Sequence, residues 1–237
     1  MINMLKNKIQ IFRFIGDGLM LLSRIIMLKK IYDSKSVSGL SLKTQMLYLI
    51  VYICRYLDLT WVTYKRVSFG KEYIKWLEIY NSGFKIFLIF YHFYILYLIG
   101  VKFKKTYHKR YDSFPLSVIL VLGCIISFVL SYRLFFFADF CYTLSLILES
   151  VAILPQLVMT QESEDCESMT SKYIVFLGLY RLNYLVYFIF KKITGEYVDL
   201  LMMFTSLIQT ILYIDFFKVY YNYMINRNNT FIKAVKN

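Results

Sequence analysis

From Phe114 to Tyr132 the chain runs for 19 residues without a charge. A helix of that length reaches about 28 Å, close to the ~30 Å hydrocarbon thickness of a bilayer. Apolar segments of similar length lie on both sides. The composition agrees, with 59% hydrophobic residues, 18% charged residues and only 9 Gly and 2 Pro. A soluble domain of this size needs far more polar surface. Lipid offers no partner to backbone N–H and C=O groups, so a spanning chain closes its own hydrogen bonds. The expectation is an all-α polytopic membrane protein.

Punctuation by charge and turn residues gives seven transmembrane helices, at about 12–30, 42–62, 78–100, 114–132, 137–159, 171–190 and 198–222. Residues 1–10 read as a short basic amphipathic lead, Ser34–Gly39 as a loop, Gln161–Thr170 as an acidic loop, and the last residues as a mobile polar tail. No cleavable signal peptide stands out, because Asp17 and Arg24 interrupt the first apolar run. Seven spans place the two ends on opposite faces. Basic residues divide eleven to nine in favour of a cytoplasmic C-terminus and a non-cytoplasmic N-terminus. A faint internal repeat relates the openings of helices two and six, Ser38–Lys43 and Ser168–Lys172. Arg55-Tyr56 follows the first opening, and Tyr180-Arg181 the second. It suggests that helices 1–3 and 5–7 are parallel copies, a 3+1+3 arrangement with helix four as linker. Such repeats commonly place a binding site where the copies meet.

Charges inside these spans carry the functional signal. Helix five contains Leu148-Glu149-Ser150-Val151-Ala152-Ile153-Leu154-Pro155-Gln156-Leu157. Lipid does not hydrate a carboxylate, so Glu149 must face protein or a wet cavity. Pro155 lacks a backbone donor and bends or breaks the helix. Either this is a binding helix, or it is a structural kink with Glu149 near the interface. Arg13, Asp17, Arg55, Asp58, Asp139, Arg181 and Asp215 are further charges within spans. Arg13 and Asp17 lie four apart and can pair on one face. The arginines either pair with acids for structure alone, or one or more grips a carboxylate ligand in bidentate fashion. Tyr56, Tyr180 and Tyr184 stand near these charges as possible donors, or as simple packing. Tyr180 and Tyr184 share a helix face.

Other classes find little support. The formal charge of +13 sits mostly between apolar segments, and no nucleic-acid signature is present. Cysteines 54, 124, 141 and 166 have neither zinc nor disulfide-framework spacing, and two histidines are too few for a histidine-based metal site. No nucleophile motif, P-loop or Gly-rich nucleotide loop appears. No cofactor, metal or enzyme activity is expected. His92, in an aromatic run, reads as a packed residue rather than a base.

Several longer stretches together resemble the endoplasmic-reticulum lumen protein-retaining receptors, which recognise C-terminal KDEL or HDEL signals. They are Phe12–Asp17, Ser38–Ser41, Arg55–Leu59, Leu148–Leu157, Phe176–Arg181 and Gln209–Phe217, in colinear order over nearly the whole chain. The resemblance implies a seven-helix bundle related to PQ-loop and SWEET-type transporters. It forms a single domain over 1–237, with repeat one at about 12–100, linker helix 114–132, repeat two 137–222 and cytosolic tail 223–237. It further implies a lumenal N-terminus, a cytosolic C-terminus, and location in the endoplasmic reticulum and Golgi. Escaped residents would be captured through their C-terminal tetrapeptides and returned in coat-protein-I (COPI) vesicles.

Carried over by residue, Arg13 and Arg55 match positions that engage peptide carboxylates. Lys191 stands where the family usually has a third such arginine; it keeps the charge and loses the fork. Asp58, Glu149 and Tyr180 match other pocket positions, and Asp58 or Glu149 would suit a basic ligand residue. Asp139 and Tyr142 match an acidic and an aromatic position near that end, and Tyr184 is counted with the signal-binding set. Asp215 matches a carboxylate linked to return transport. Asp17, Pro155, Gln156 and Arg181 are expected to be structural. The family's helix-one histidine, linked to tighter binding at acidic pH, falls at Met20, which takes up no proton. Met20 either abolishes the pH switch or relocates it, with Glu149, if desolvated, or His92 as the substitute sensor. Tyr187 and Phe188 replace a frequent Asn-Trp, and Lys233 and Lys236 match the tail lysine signal only loosely. The alternative reading, a transporter for a small anionic solute, would use the same arginines.

Overall fold

A computed structural model describes residues 2–57, 76–131, 137–162 and 168–235. Every regular element among them is helical. They are α1 (Ile2–Ser34), α2 (Leu42–Arg55), α3 (Trp76–Tyr97), α4 (Leu116–Leu130), α5 (Phe137–Val151), α6 (Leu154–Glu162), α7 (Ser168–Ile193) and α8 (Leu200–Val235). A π-helical turn, Leu98–Lys102, and a 3-10 turn, Lys104–Thr106, follow α3. With α5 and α6 counted as one broken helix, the described residues contain the seven expected helical segments. Four stretches are long and apolar enough to cross a membrane: Ile79–Lys102, Phe137–Glu162, Lys172–Ile193 and Leu200–Lys218.

The boundaries differ from expectation where local signals were read as breaks. The supposed basic lead belongs to α1, and the supposed mobile tail is helical to Val235. Neither stretch contains Pro or Gly between Ile2 and Phe14 or after Leu200, so nothing local stops the backbone ladder. Helix two ends at Arg55 rather than 62, where Tyr56 leaves helical geometry. The charge-free run 114–132 forms only the 15 residues of α4 as helix, because Pro115 and Ser131 both take extended backbone.

The chain packs as two compact units. One comprises α1, α7 and α8. Here α1 lies along α7, and α7 packs on α8. Met27 and Ile31 of α1 and Ile174 and Leu177 of α7 are fully buried. Between helices in lipid the attraction comes from close packing rather than from expulsion of water, which favours small residues at crossings. Gly178 serves that need: a Cβ placed there would stand 2.6 Å from Phe217 Cζ on α8. The α7 C-terminus is closed by Gly195, in the left-handed region at φ 75°. Gly195 N–H donates to Lys192 O and Glu196 N–H to Lys191 O, each at 3.1 Å. Those two bonds satisfy carbonyls that the helix end would otherwise leave open.

The other unit comprises α2 to α6, with α5 at its centre, packed against both α2 and α4. Ile119, Gly123 and Ser127, spaced by four, turn inward from α4, whereas Val121, Ile125, Phe128 and Val129 are exposed. An apolar face of that extent suits lipid. Ser41 caps α2, accepting from Thr44 N–H at 3.1 Å. His92 is buried among Tyr48, Tyr52 and Tyr91, with Nδ1 2.8 Å from Leu88 O. This is the packed role read from its aromatic surroundings.

The break between α5 and α6 follows from Pro155, and side chains absorb it. Gln156 N–H donates to Thr44 Oγ1 at 3.0 Å, while Gln156 Oε1 accepts from Ser41 N–H at 2.9 Å. Both bonds are buried. Gln156 Nε2 reaches Thr160 Oγ1 at 3.3 Å. The Gln156 bonds therefore dock the broken helix onto the start of α2. Nearby, Asp112 accepts from Ser41 Oγ (2.9 Å), Lys43 N–H (3.2 Å) and Tyr107 Oη (2.6 Å). Asp112 thus ties the connection after α3 to the same helix end.

Candidate functional site

In the unit built on α5, spacings of three and four place Asp139, Tyr142, Ser145 and Glu149 along one side of that helix. Arg55, the last residue of α2, meets them. Its Nη1 donates to Glu149 Oε2, and its Nε donates to Ser145 Oγ at 3.1 Å. Ser145 Oγ in turn donates to Tyr142 O at 2.6 Å. The Arg55 and Glu149 side chains are 19% and 7% exposed. Two charges so withdrawn from water are costly singly, and each offsets the other. The family resemblance gave Arg55 and Glu149 separate roles; the structure makes them direct partners. Asp139 and Tyr142 are half-buried in the first turns of α5. Asp58 lies outside the described residues.

A second cluster forms in the unit of α1, α7 and α8. Tyr184 Oη donates to Asp17 Oδ1, and Asp17 is buried. Arg13 and Arg181 stand close enough to act electrostatically on the Tyr184 phenol. Tyr180 and Tyr184 meet edge to face at 6.0 Å, as their shared face implies. The Arg181 guanidinium lies 4.4 Å from the centre of the Tyr180 ring, a cation–π contact. Sequence reasoning paired Asp17 with Arg13 along α1; the structure adds Tyr184 from α7 as its hydrogen-bonded partner. Tyr187 and Phe188 pack with Val198 in a small core that Phe12 and Tyr184 adjoin. Lys191 is half-buried at the α7 terminus, its carbonyl held by Glu196 N–H and by Thr194 Oγ1. Asp215 is exposed on α8.

Three buried polar positions were not singled out as candidates by the sequence reading. Ser145 gave no signal of its own, being one polar residue in an apolar helix. Asp112 lies between helices three and four, outside the spans in which charges were weighed. Arg24 is completely buried on α1. Its placement four residues after Met20, on the face that carries Asp17, was the available clue.

No group of three or more His, Cys, Asp or Glu side chains poised to hold a metal occurs among the described residues. The chemistry on offer is ionic and hydrogen-bonding: guanidinium groups, carboxylates and phenols on apolar helices. Groups of that kind suit the recognition of a charged partner.

Comparison with known proteins gives the family. Residues 36–191 match the ER lumen protein retaining receptors. The chain is 37% identical over 210 residues to the Drosophila melanogaster ER lumen protein-retaining receptor, covering 89% of this chain and 92% of the relative. It is 39% identical over 222 residues to the Kluyveromyces lactis receptor, covering 92% and 95%. It is 38% identical over 211 residues to that of Plasmodium falciparum, covering 87% and 90%. The chain belongs to the ER lumen protein-retaining receptor family and is a receptor rather than an enzyme.

Proposed function

We propose that this protein binds the C-terminal KDEL- or HDEL-type retrieval signals of escaped endoplasmic-reticulum residents in the Golgi lumen and returns them in COPI-coated vesicles. The observation that carries the reading is the Arg55–Glu149 pair in a chain of this family. A half-buried guanidinium is a fitting partner for a peptide carboxylate, and Glu149 holds it in place until a ligand carboxylate competes. Arg13, Arg55, Asp58, Asp139, Tyr142, Glu149, Tyr180, Tyr184 and Lys191 are the proposed signal-binding residues. Asp215 serves return transport. The helices form a 3+1+3 parallel repeat with α4 as linker, N-terminus lumenal and C-terminus cytosolic.

Retrieval requires tighter binding in the acidic compartment than in the neutral one, and a tenfold difference is about 1.4 kcal/mol. With methionine at position 20, the switch falls to Glu149 in this reading. Protonating that carboxylate frees Arg55 for the ligand. The test is titration of a labelled HDEL-ended peptide against the purified protein at mildly acidic and at neutral pH, with KDEL-ended and C-amidated controls. Carboxylate-dependent binding, tighter in acid, is expected. Binding indifferent to amidation overturns the reading, and solute uptake by proteoliposomes would then favour a transporter.

A further inference from the structure

The cysteines at 54, 124, 141 and 166 are remote from one another in sequence. Helix packing nevertheless brings two of them together. Cys54, in the last turn of α2, and Cys141, in the second turn of α5, come near each other where these two helices pack. Neighbouring side chains fix the same meeting independently. Arg55, next to Cys54, donates to Ser145, one turn beyond Cys141, at 3.1 Å. Cys54 is half-buried, Cys141 is buried and Cys124 is exposed on α4.

We propose that Cys54 and Cys141 are an oxidisable thiol pair whose disulfide fastens α2 to α5 beside Arg55. Thiols on packed helices this near each other need side-chain rotation and a short approach to reach the ~2.05 Å sulfur–sulfur bond. The oxidant is a small-molecule disulfide such as glutathione disulfide. Cys54, the more accessible thiol, loses its proton and attacks one glutathione sulfur, and the first glutathione thiolate leaves. Cys141, deprotonated in turn, attacks Cys54 Sγ in the mixed disulfide and releases the second. The two thiol protons end on the two glutathiones, so two protein thiols and one glutathione disulfide become one protein disulfide and two glutathiones. Under the retrieval-receptor reading, on which the location of this step rests, these helix ends lie on the lumenal side. Disulfides persist in such compartments. The covalent tie would hold Arg55 against Ser145 and Glu149, so that a ligand carboxylate competes less well. Receptor affinity would then follow the redox state of the lumen.

The test incubates the purified full-length protein with glutathione disulfide, alkylates remaining thiols and maps peptides by mass spectrometry. A Cys54–Cys141 cross-linked peptide is expected. It should be absent from Cys54→Ser and Cys141→Ser and kept in Cys124→Ser. A glutathione adduct that never resolves, or pairing of Cys54 with Cys124, overturns the proposal. HDEL-peptide titration of the same samples should show the cross-linked protein binding about tenfold more weakly, with recovery on reduction. A cross-link with unchanged affinity overturns the locking role. Absence of peptide binding in the reduced protein would instead count against the receptor reading, and the mass map would still decide the thiol pair.

Discussion

Glu149 on α5 accepts a hydrogen bond from Arg55 on α2, so the guanidinium best suited to a ligand carboxylate is already occupied by an internal one. Replacing Glu149 by Gln removes the opposing charge and keeps the shape. Stability should fall; the ~3–5 kcal/mol cost of breaking a buried pair is an upper bound, because Arg55 retains some exposure and Ser145 remains. Peptide binding should persist and lose its dependence on pH. A pH profile like the wild type's, read in the HDEL titration, would remove Glu149 as the sensor.

Tyr184→Phe deletes the hydrogen bond to Asp17 without changing the packing volume. The buried carboxylate then loses a donor, at a cost of about 1.5–3 kcal/mol. Thermal unfolding in detergent should register an earlier transition, and Tyr184→Leu one that is earlier still. Equal unfolding midpoints for the Tyr184→Phe variant and the wild type would show that Asp17 is satisfied without the phenol.

Gly178→Ala tests the α7–α8 crossing. The added methyl would sit 2.6 Å from Phe217 Cζ and 3.3 Å from Tyr213 Cβ. Overpacking of this kind costs about 1–3 kcal/mol. Restoring room with Phe217→Leu in the same chain should recover much of the loss. A double variant no better than Gly178→Ala would point to a backbone cause instead.

Gln156→Leu leaves Ser41 N–H and Thr160 Oγ1 without the amide that pairs them. One stranded buried N–H costs about 1–3 kcal/mol. The variant should lose thermal stability and show faster hydrogen exchange at the start of α2. Unchanged exchange there would mean that Gln156 does not anchor that helix end.

Tyr107 gives a pH signature outside the spans. Burial, then the hydrogen bond to Asp112 and the charge of that carboxylate, push its phenol well above the ordinary value of about 10. A group raised on folding stabilises fully below its unfolded value and loses that contribution as pH rises past it. Wild type should therefore exceed Tyr107→Phe by about 1 kcal/mol near neutrality, since the side chain is only half-buried. The gap should shrink above about pH 10. A gap that widens with pH would contradict the Asp112 contact.

The sequence alone determined the helical membrane architecture, because a 19-residue uncharged run such as 114–132 is too long for a barrel strand and satisfies its backbone in lipid as a helix. It also determined the break at Pro155, since a missing donor is a local property. It marked Arg55, Glu149, Asp17 and Tyr184 as significant, because a charge or a phenol beside one has few reasons to stand inside an apolar helix. Helix ends were less legible: α1 and α8 run past their expected limits because charge alone does not stop a helix. Partnership was decided only by tertiary structure. Arg55 meets Glu149 across 94 residues, and Tyr184 meets Asp17 across 167. Spacing along one helix carries no information about which face of another helix lies opposite. The nearness of Cys54 to Cys141 has the same origin, for only the packing of α2 on α5 makes two isolated thiols neighbours.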